Sequence, residues 1–264
     1  MSRPSLDHIV ILIPHDSLLS LSDRLQDYFV VAPGGTHADG LTSNKLILLP
    51  DGVYIEFIAF AKDASPEQRR KHRWGNLKEN TIIDWALTLP SESDFAAVQQ
   101  RILDSNAGLS YQDPIPGGRK REDGVVLEWA VSAARDAHGN AISPGHLPFW
   151  CLDRTPRHLR VPYQEQFDLT QHPSGVQGIS SLSVSVPGAQ HSDLSTVYDA
   201  IYTPEGSRAL EPGTWHYEVP SGSGDGRHTI SLSVNDEETA VTLTFHGERP
   251  GQVELLPGLT IAIE

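Results

Sequence analysis

The sequence predicts an α+β protein built from paired βαβββ modules, with a third, degenerate βαβββ-like module at the C-terminus. Three observations carry this expectation. The order strand, helix, three strands reads twice between residues 6 and 153. Each copy opens with a strand closed by proline, and each contains a Pro-Gly-Gly, at 33–35 and 116–118. A repeat of about 80 residues is too long for a solenoid, and one helix per several strands points to modules paired edge to edge.

Residues 6–13, LDHIVILI, are apolar on both faces apart from Asp7 and His8 and end at Pro14, which predicts a buried strand. Residues 16–28 place Leu18, Leu19, Leu21 and Leu25 at helical spacing behind Asp16. The β-branched run 29–31 and strands at 45–49 and 53–60 follow, the last two joined by the hairpin turn Pro50-Asp51-Gly52. The second copy opens with a strand at 81–89 closed by Pro90. Its helix, 93–105, carries Phe95, Val98, Ile102 and Leu103 on one stripe, and strands follow at 109–111, 125–130 and 147–152, with a long loop at 132–145. Residues 154–175 show no periodicity and read as a linker or lid. Beyond them, strands are expected at 179–186, 217–219, 229–234, 241–245 and 259–263, with a helix at 193–202. Two domains are therefore expected: 6–165, holding two modules, and 176–264. Strands of the latter alternate apolar residues with Ser and Thr, so one face seeks burial.

The 264 residues hold 34 acidic and 20 basic side chains, a formal charge of −14. Such a chain lacks the cationic field that binds a phosphate backbone, so no nucleic-acid partner is expected. A single cysteine, Cys151, excludes an intrachain disulfide framework and a cysteine-only zinc site. No apolar run reaches the ~18 residues of a membrane span, and the start MSRPSLDHIV lacks a basic region followed by an apolar core. These features suggest a cytoplasmic protein with a small-molecule partner and no membrane contact, and they leave a homodimer open. No GxSxG, Walker loop, HExxH or CxxC is present, and the Gly-Gly pairs do not follow strands in the dinucleotide pattern, which disfavours hydrolases of those classes, NTPases and nicotinamide enzymes.

His8 and Glu56 are the sharpest pair, each within an apolar strand. A buried carboxylate costs several kcal/mol, roughly, unless it is hydrogen-bonded, paired, protonated or metal-bound. His8 can be its partner, and the residues alone fit a structural pair as well as a ligand pair. Arg119 and Arg121 flank Lys120 in an acidic protein; an Arg fork suits a carboxylate or phosphate, although a loop pairing with Glu122 and Asp123 fits equally. Residues 68–73, QRRKHR, read as a solvated loop or helix end.

The strings LDHIVILIP, PGGTHADGLTSNKLILLPDGVYIEFIAF, GRKREDGVVLEW, LPFW and HPSGV, in that order, resemble the glyoxalase-like domain family of the vicinal-oxygen-chelate superfamily. The likeness spans about residues 6–180. It implies paired modules curled into a half-open barrel around a divalent metal that binds adjacent substrate oxygens. By position, the resemblance makes His8 and Glu56 the first-strand and fourth-strand ligands of the first module. In the second module, matched prolines put Asp84 opposite His8, matched aspartates put Trp85 there, and residues 150–153 fall opposite Glu56. No His or Glu is secure at either place, so His37 and His172 are the imidazoles left to complete a site. Such donors suit Zn, Mn, Fe or Ni. Asn44, Trp129 and Phe149 stand at motif positions, as cavity lining or as core. The expected function is a metal-assisted lyase or isomerase of a small, oxygenated, anionic substrate, with Glu56 as ligand or proton carrier. The alternative is a protein of the same fold that sequesters a small ligand without chemistry.

Overall fold

The computed structural model describes residues 3–121, 123–203, 211–222, 228–236 and 238–264. The first module runs β1 (Ser5–Leu12), α1 (His15–Leu19), α2 (Leu21–Leu25), β2 (Ala32–Thr36), β3 (Thr42–Leu48) and β4 (Tyr54–Phe60). The expected single helix is split at Ser20. Leu18, Leu21 and Leu25 still face the core, whereas Leu19 is exposed. Helix α3 (Pro66–Lys71), held by a capping box between Ser65 and Gln68, leads to the second module. That module comprises β5 (Thr81–Thr88), α4 (Phe95–Asp104), β6 (Leu109–Tyr111), β7 (Ile115–Lys120), β8 (Val126–Ser132), β9 (Ala134–Asp136) and β10 (Phe149–Asp153).

One eight-stranded sheet joins both modules in the order β2-β3-β4-β1-β5-β10-β8-β7. The order is the same outward from each side of the central β1–β5 pair, with β4 parallel to β1 and β10 parallel to β5. β6 and β9, the latter within the expected long loop, pair separately. The antiparallel β1–β5 ladder carries two irregularities, one skipping Asp7 and one skipping Ile83. Asp7 and Ile83 are therefore counterparts, and Asp84 is the counterpart of His8. Because Val10 pairs with Glu56 and Ala86 with Phe149, Phe149 is the counterpart of Glu56. This corrects the expectation of a counterpart within 150–153 and discards Trp85 as the match for His8.

Residues 154–175 are neither a loose linker nor a lid. They form α5 (Arg157–Arg160) and a turn of 3-10 helix, and Arg160 is buried. The C-terminal half adds β11 (Val176–Val186), α6 (Gly188–Tyr202), β12 (Thr214–His216), β13 (Thr229–Val234), β14 (Ala240–Gly247), β15 (Gly251–Leu256) and β16 (Leu259–Ile263). Its six-stranded sheet has the order β12-β13-β11-β14-β16-β15. The pairing scheme of the first sheet recurs here: β13 is parallel to β11, β16 is parallel to β14, and β11 is antiparallel to β14. The expected third module is thus one helix-bearing unit followed by a second unit whose strands β14 and β15 are joined directly, with no helix. The strand expected at 217–219 lies at 214–216 instead.

The two sheets share one core. On β1, Ile9 and Ile11 face the helices and the C-terminal half, while His8, Val10 and Leu12 face the concave side. Trp85 packs on Tyr198 and Phe29 on Phe245, so the helix-bearing side of the first sheet is covered by the second sheet and its helix. Each fully buried side chain of this size contributes about 1.5–3 kcal/mol, which makes the two halves cooperative. No helix among the described residues is long and apolar enough to cross a membrane.

Candidate functional site

The concave side of the eight-stranded sheet encloses a cavity of about 340 Å³. His8, Glu56, His37, Asn44, Arg119, Trp129 and Phe149 all line it. Tyr54, His72, Arg73, Trp74, Cys151 and Arg160 line it too, and none of these was singled out from the sequence as a site residue.

The irregularity at Asp7 lets two adjacent residues serve one site, because a bulge re-aims a side chain that strict alternation would send to the opposite face. Asp7 is fully buried. Burial alone raises a carboxyl pKa, but the guanidiniums of Arg157 and Arg160 outweigh it and hold Asp7 well below the usual carboxylate range. Arg157 Nη1 contacts Asp7 Oδ1, and Arg160 donates to both oxygens at 3.0 Å. Arg160 also bonds Asp153 and donates to the Tyr54 hydroxyl at 2.7 Å. An ionised Asp7 can only accept, so the 2.5 Å contact with His8 Nδ1 is a bond donated by His8. With Nδ1 engaged by Asp7, Nε2 is the ring nitrogen left to face Glu56. Tyr54 stacks on the ring at 4.6 Å and Phe149 meets its edge at 5.3 Å, fixing its plane.

Nε2 of His8 faces Glu56 Oε2 across 3.6 Å. On the other side of the carboxylate, Asn44 Nδ2 donates to Oε1 at 2.5 Å, and His37 Nε2 lies 3.7 Å from the same oxygen. Asn44 is itself aligned by the Gly35 N–H, which donates to Oδ1 at 2.9 Å. The close approach requires glycine at 34, where a Cβ would lie 2.1 Å from the Asn44 carbonyl oxygen. Thus Pro-Gly-Gly shapes the edge strand so that the amide reaches Glu56. In the second copy a Cβ on Gly117 would strike the Trp129 indole at 2.8 Å, so the same motif admits an aromatic wall.

A ring nitrogen facing a carboxylate is favourable only with a proton or a cation between the two. The His8–Glu56 pair has room for a shared cation, whereas His37 approaches the other carboxylate oxygen and does not converge with them on one point. The second module offers no equivalent. Phe149 has no ligand atom, and Asp84 is engaged by Arg73 at 2.6 Å and by the Trp74 indole at 2.8 Å. Burial still pushes the Asp84 carboxyl up, ahead of the lowering effect of Arg73.

Arg119 enters the cavity wall from β7 and donates to the Gly34 carbonyl at 2.9 Å, tying the two edges of the curled sheet together. Arg73, expected in a solvated segment, lies over the face of Phe149 at 4.9 Å. Two expected site residues are elsewhere. Arg121 does not line the cavity: it lies just past the end of β7, where its N–H donates to the Val125 carbonyl to close the turn to β8, and its side chain donates to the Leu159 carbonyl and Asp123; Glu122 lies outside the described residues. His172 is a structural residue. It accepts from the Val30 N–H and bonds the Leu48 carbonyl at 2.9 Å, and burial pushes its pKa down to about 4. Arg157 and Arg160 were detectable in principle, since Asp7 needs a cation for the same reason that Glu56 needs a partner.

Comparison with known proteins follows this geometry. Over nearly the full length of both chains, the fold matches a hypothetical protein from Staphylococcus aureus, with a TM-score of 0.67, 14% identity, and coverage of 99% of this chain and 98% of that one. A mutant 4-hydroxymandelate synthase from Streptomyces coelicolor gives 0.49 at 12% identity, covering 93% and 72%. The Mn(II)-bound glyoxalase from Novosphingobium aromaticivorans gives 0.46 at 14%, covering 93% and 66%. No protein of curated function matches the sequence. The match to the glyoxalase-like domain extends over residues 6–199, from the strand bearing His8 into α6, and on it the chain belongs to the glyoxalase-like domain family.

Proposed function

We propose that this protein is a metal-assisted lyase or isomerase acting on a small, oxygenated, anionic substrate held in the concave cavity. The observation that supports this reading most is Nε2 of His8, oriented by ionised Asp7 and set 3.6 Å from the Glu56 carboxylate. His8 and Glu56 would hold the ion; Zn, Mn, Fe and Ni all suit imidazole and carboxylate donors. When bound, such an ion supplies Lewis-acid polarisation of substrate oxygens. The remaining chemistry belongs to the chain. Asn44 holds the Glu56 carboxyl in place through its bond to Oε1, which orients it to bind the ion or to take a proton from a carbon beside a carbonyl and return it. Arg119 and Arg73 give the walls positive charge for a carboxylate, and Trp74, Trp129 and Phe149 exclude water around it.

One observation favours a second reading, a binding protein without turnover: the second module contributes a paired carboxylate and a phenyl ring where the first contributes ligands. Two measurements separate them. Mn(II) binding followed by water-proton relaxation should weaken at least tenfold in Glu56→Gln and in His8→Gln; Mn(II) binding unchanged in both variants refutes the site. Deuterium exchange from solvent into the methyl group of pyruvate should be catalysed by the Mn(II)-loaded protein and lost in Glu56→Gln. Pyruvate binding without exchange supports sequestration.

A further inference from the structure

Asp51, His228 and His246 come from distant parts of the chain, yet one ligating atom of each lies within 4.8 Å of the others. Among the described residues they are the one group of three such side chains this close. Asp51 sits in the turn between β3 and β4, His228 immediately precedes β13, and His246 lies on β14. The cluster therefore spans the contact between the first module and the six-stranded sheet.

The environment of Asp51 points to a missing positive partner. The side chain is 5% exposed; Oδ1 accepts from the Val53 N–H at 2.9 Å, whereas Oδ2 is buried with no partner of good hydrogen-bond geometry, the Ile179 N–H being the other backbone donor that acts on the carboxylate. Leaving such an oxygen unmatched costs about 1–3 kcal/mol. Oδ2 is aimed at the imidazole of His246. A Cβ on Gly178 would lie 2.3 Å from Asp51 Oδ2 and 2.5 Å from His246 Nε2, so only glycine at 178 leaves both atoms their shared space. The third member is pre-set for ligation: Nδ1 of His228 bonds the Ile179 carbonyl at 2.8 Å, which makes Nδ1 the protonated nitrogen and leaves the lone pair on Nε2. Burial pushes the Asp51 carboxyl up to about 6, with the Val53 N–H, His228, the Ile179 N–H and Arg157 each lowering it in part.

We propose that Asp51, His228 and His246 form a buried zinc-class divalent-metal site that fastens the β3–β4 turn to the C-terminal sheet. Two imidazoles and one carboxylate are the donor chemistry of zinc. The site is separate from the cavity but lies behind it. The carbonyl of Gly52, next in the chain, accepts from Arg157, whose guanidinium contacts Asp7, the residue that orients His8. Fastening this turn holds the back of that chain in place.

The test uses untagged, full-length Glu56→Gln protein, in which the cavity contributes no ion, dialysed against Zn(II) with metal counted by mass spectrometry. One equivalent is expected in Glu56→Gln, and less than a tenth of that when Asp51→Asn or His246→Gln is added. Zinc-free Glu56→Gln, or zinc unchanged by both added substitutions, overturns the proposal. If the added substitutions prevent folding, zinc-edge anomalous scattering from crystals of the zinc-dialysed parent decides: a peak between Asp51 and the two imidazoles supports the site, and a flat map there overturns it. Neither result depends on the cavity ion, so failure here leaves the proposed function standing, and the reverse also holds.

Discussion

The two halves of the eight-stranded sheet share strand order, parallel pairings and a bulge at matching places, but they treat a buried carboxylate in opposite ways. In the first module the bulged residue is Asp7, two guanidiniums keep it ionised, and it orients His8 toward Glu56. In the second the bulged residue is Ile83, Asp84 replaces His8, and the partner is a single arginine that is 28% exposed. Phe149 closes the place of Glu56. Duplicated backbones thus supply two equivalent sockets, and the side chains leave donor atoms uncommitted in one while consuming them in the other. Under the proposed function, this asymmetry assigns the chemistry to the first module and the cationic and aromatic wall to the second.

The largest predicted effect comes from cutting the first module's charge network. Asp7→Ala leaves Arg157 and the buried Arg160 without their main partner and should cost about 3–5 kcal/mol in urea unfolding. Mn(II) affinity should fall with it, because the His8 ring loses its anchor. Next is a pH effect. Folded His172 stays neutral down to about pH 4, whereas the unfolded residue protonates near its usual 6.5. Above that window the full contribution is present; as pH falls through it the unfolded chain takes up the proton first and stability drops, by on the order of 3 kcal/mol in all. His172→Gln should flatten this component, and a variant with the same pH slope as the parent would show that another group causes it.

Asp84→Ala should be milder than Asp7→Ala, about 2 kcal/mol, since Arg73 can reach water and the buried donors left behind, the Trp74 indole and the longer Gly145 and Trp85 N–H contacts, are uncharged. Equal costs for the two alanine variants would break the comparison between modules. The smallest effect is expected for Asn44→Ala, about 1 kcal/mol, from the lost bond to Glu56. Its diagnostic value lies in Mn(II) binding, which should weaken more than stability does.

Much of the fold was legible because β1, β4 and β5 are near-continuous apolar runs punctuated by proline and Pro50-Asp51-Gly52. The stripe on α4 was mostly legible too: Phe95, Val98 and Ile102 are buried, while Leu103 turns outward. β15 escaped because Gly251 and Gln252 open it and its apolar residues are few. The segment carrying Arg157 and Arg160 read as a linker because polar residues without periodicity resemble a solvated loop. Its order comes instead from an ion pair with Asp7, some 150 positions away.

By itself the sequence determined the element order, the two-module repeat, and that His8 and Glu56 share a buried strand environment, since hydrophobic period and turn chemistry are local properties. Only the tertiary structure decided which polar residues share a face and which partners neutralise them. A one-residue bulge at Asp7 changes where a side chain points, strand pairing put Phe149 in the place corresponding to Glu56, the turn after β7 kept Arg121 out of the cavity, and the packing of the two sheets gathered Asp51, His228 and His246. Those outcomes rest on register and on long-range electrostatics, neither of which any local stretch of chain encodes.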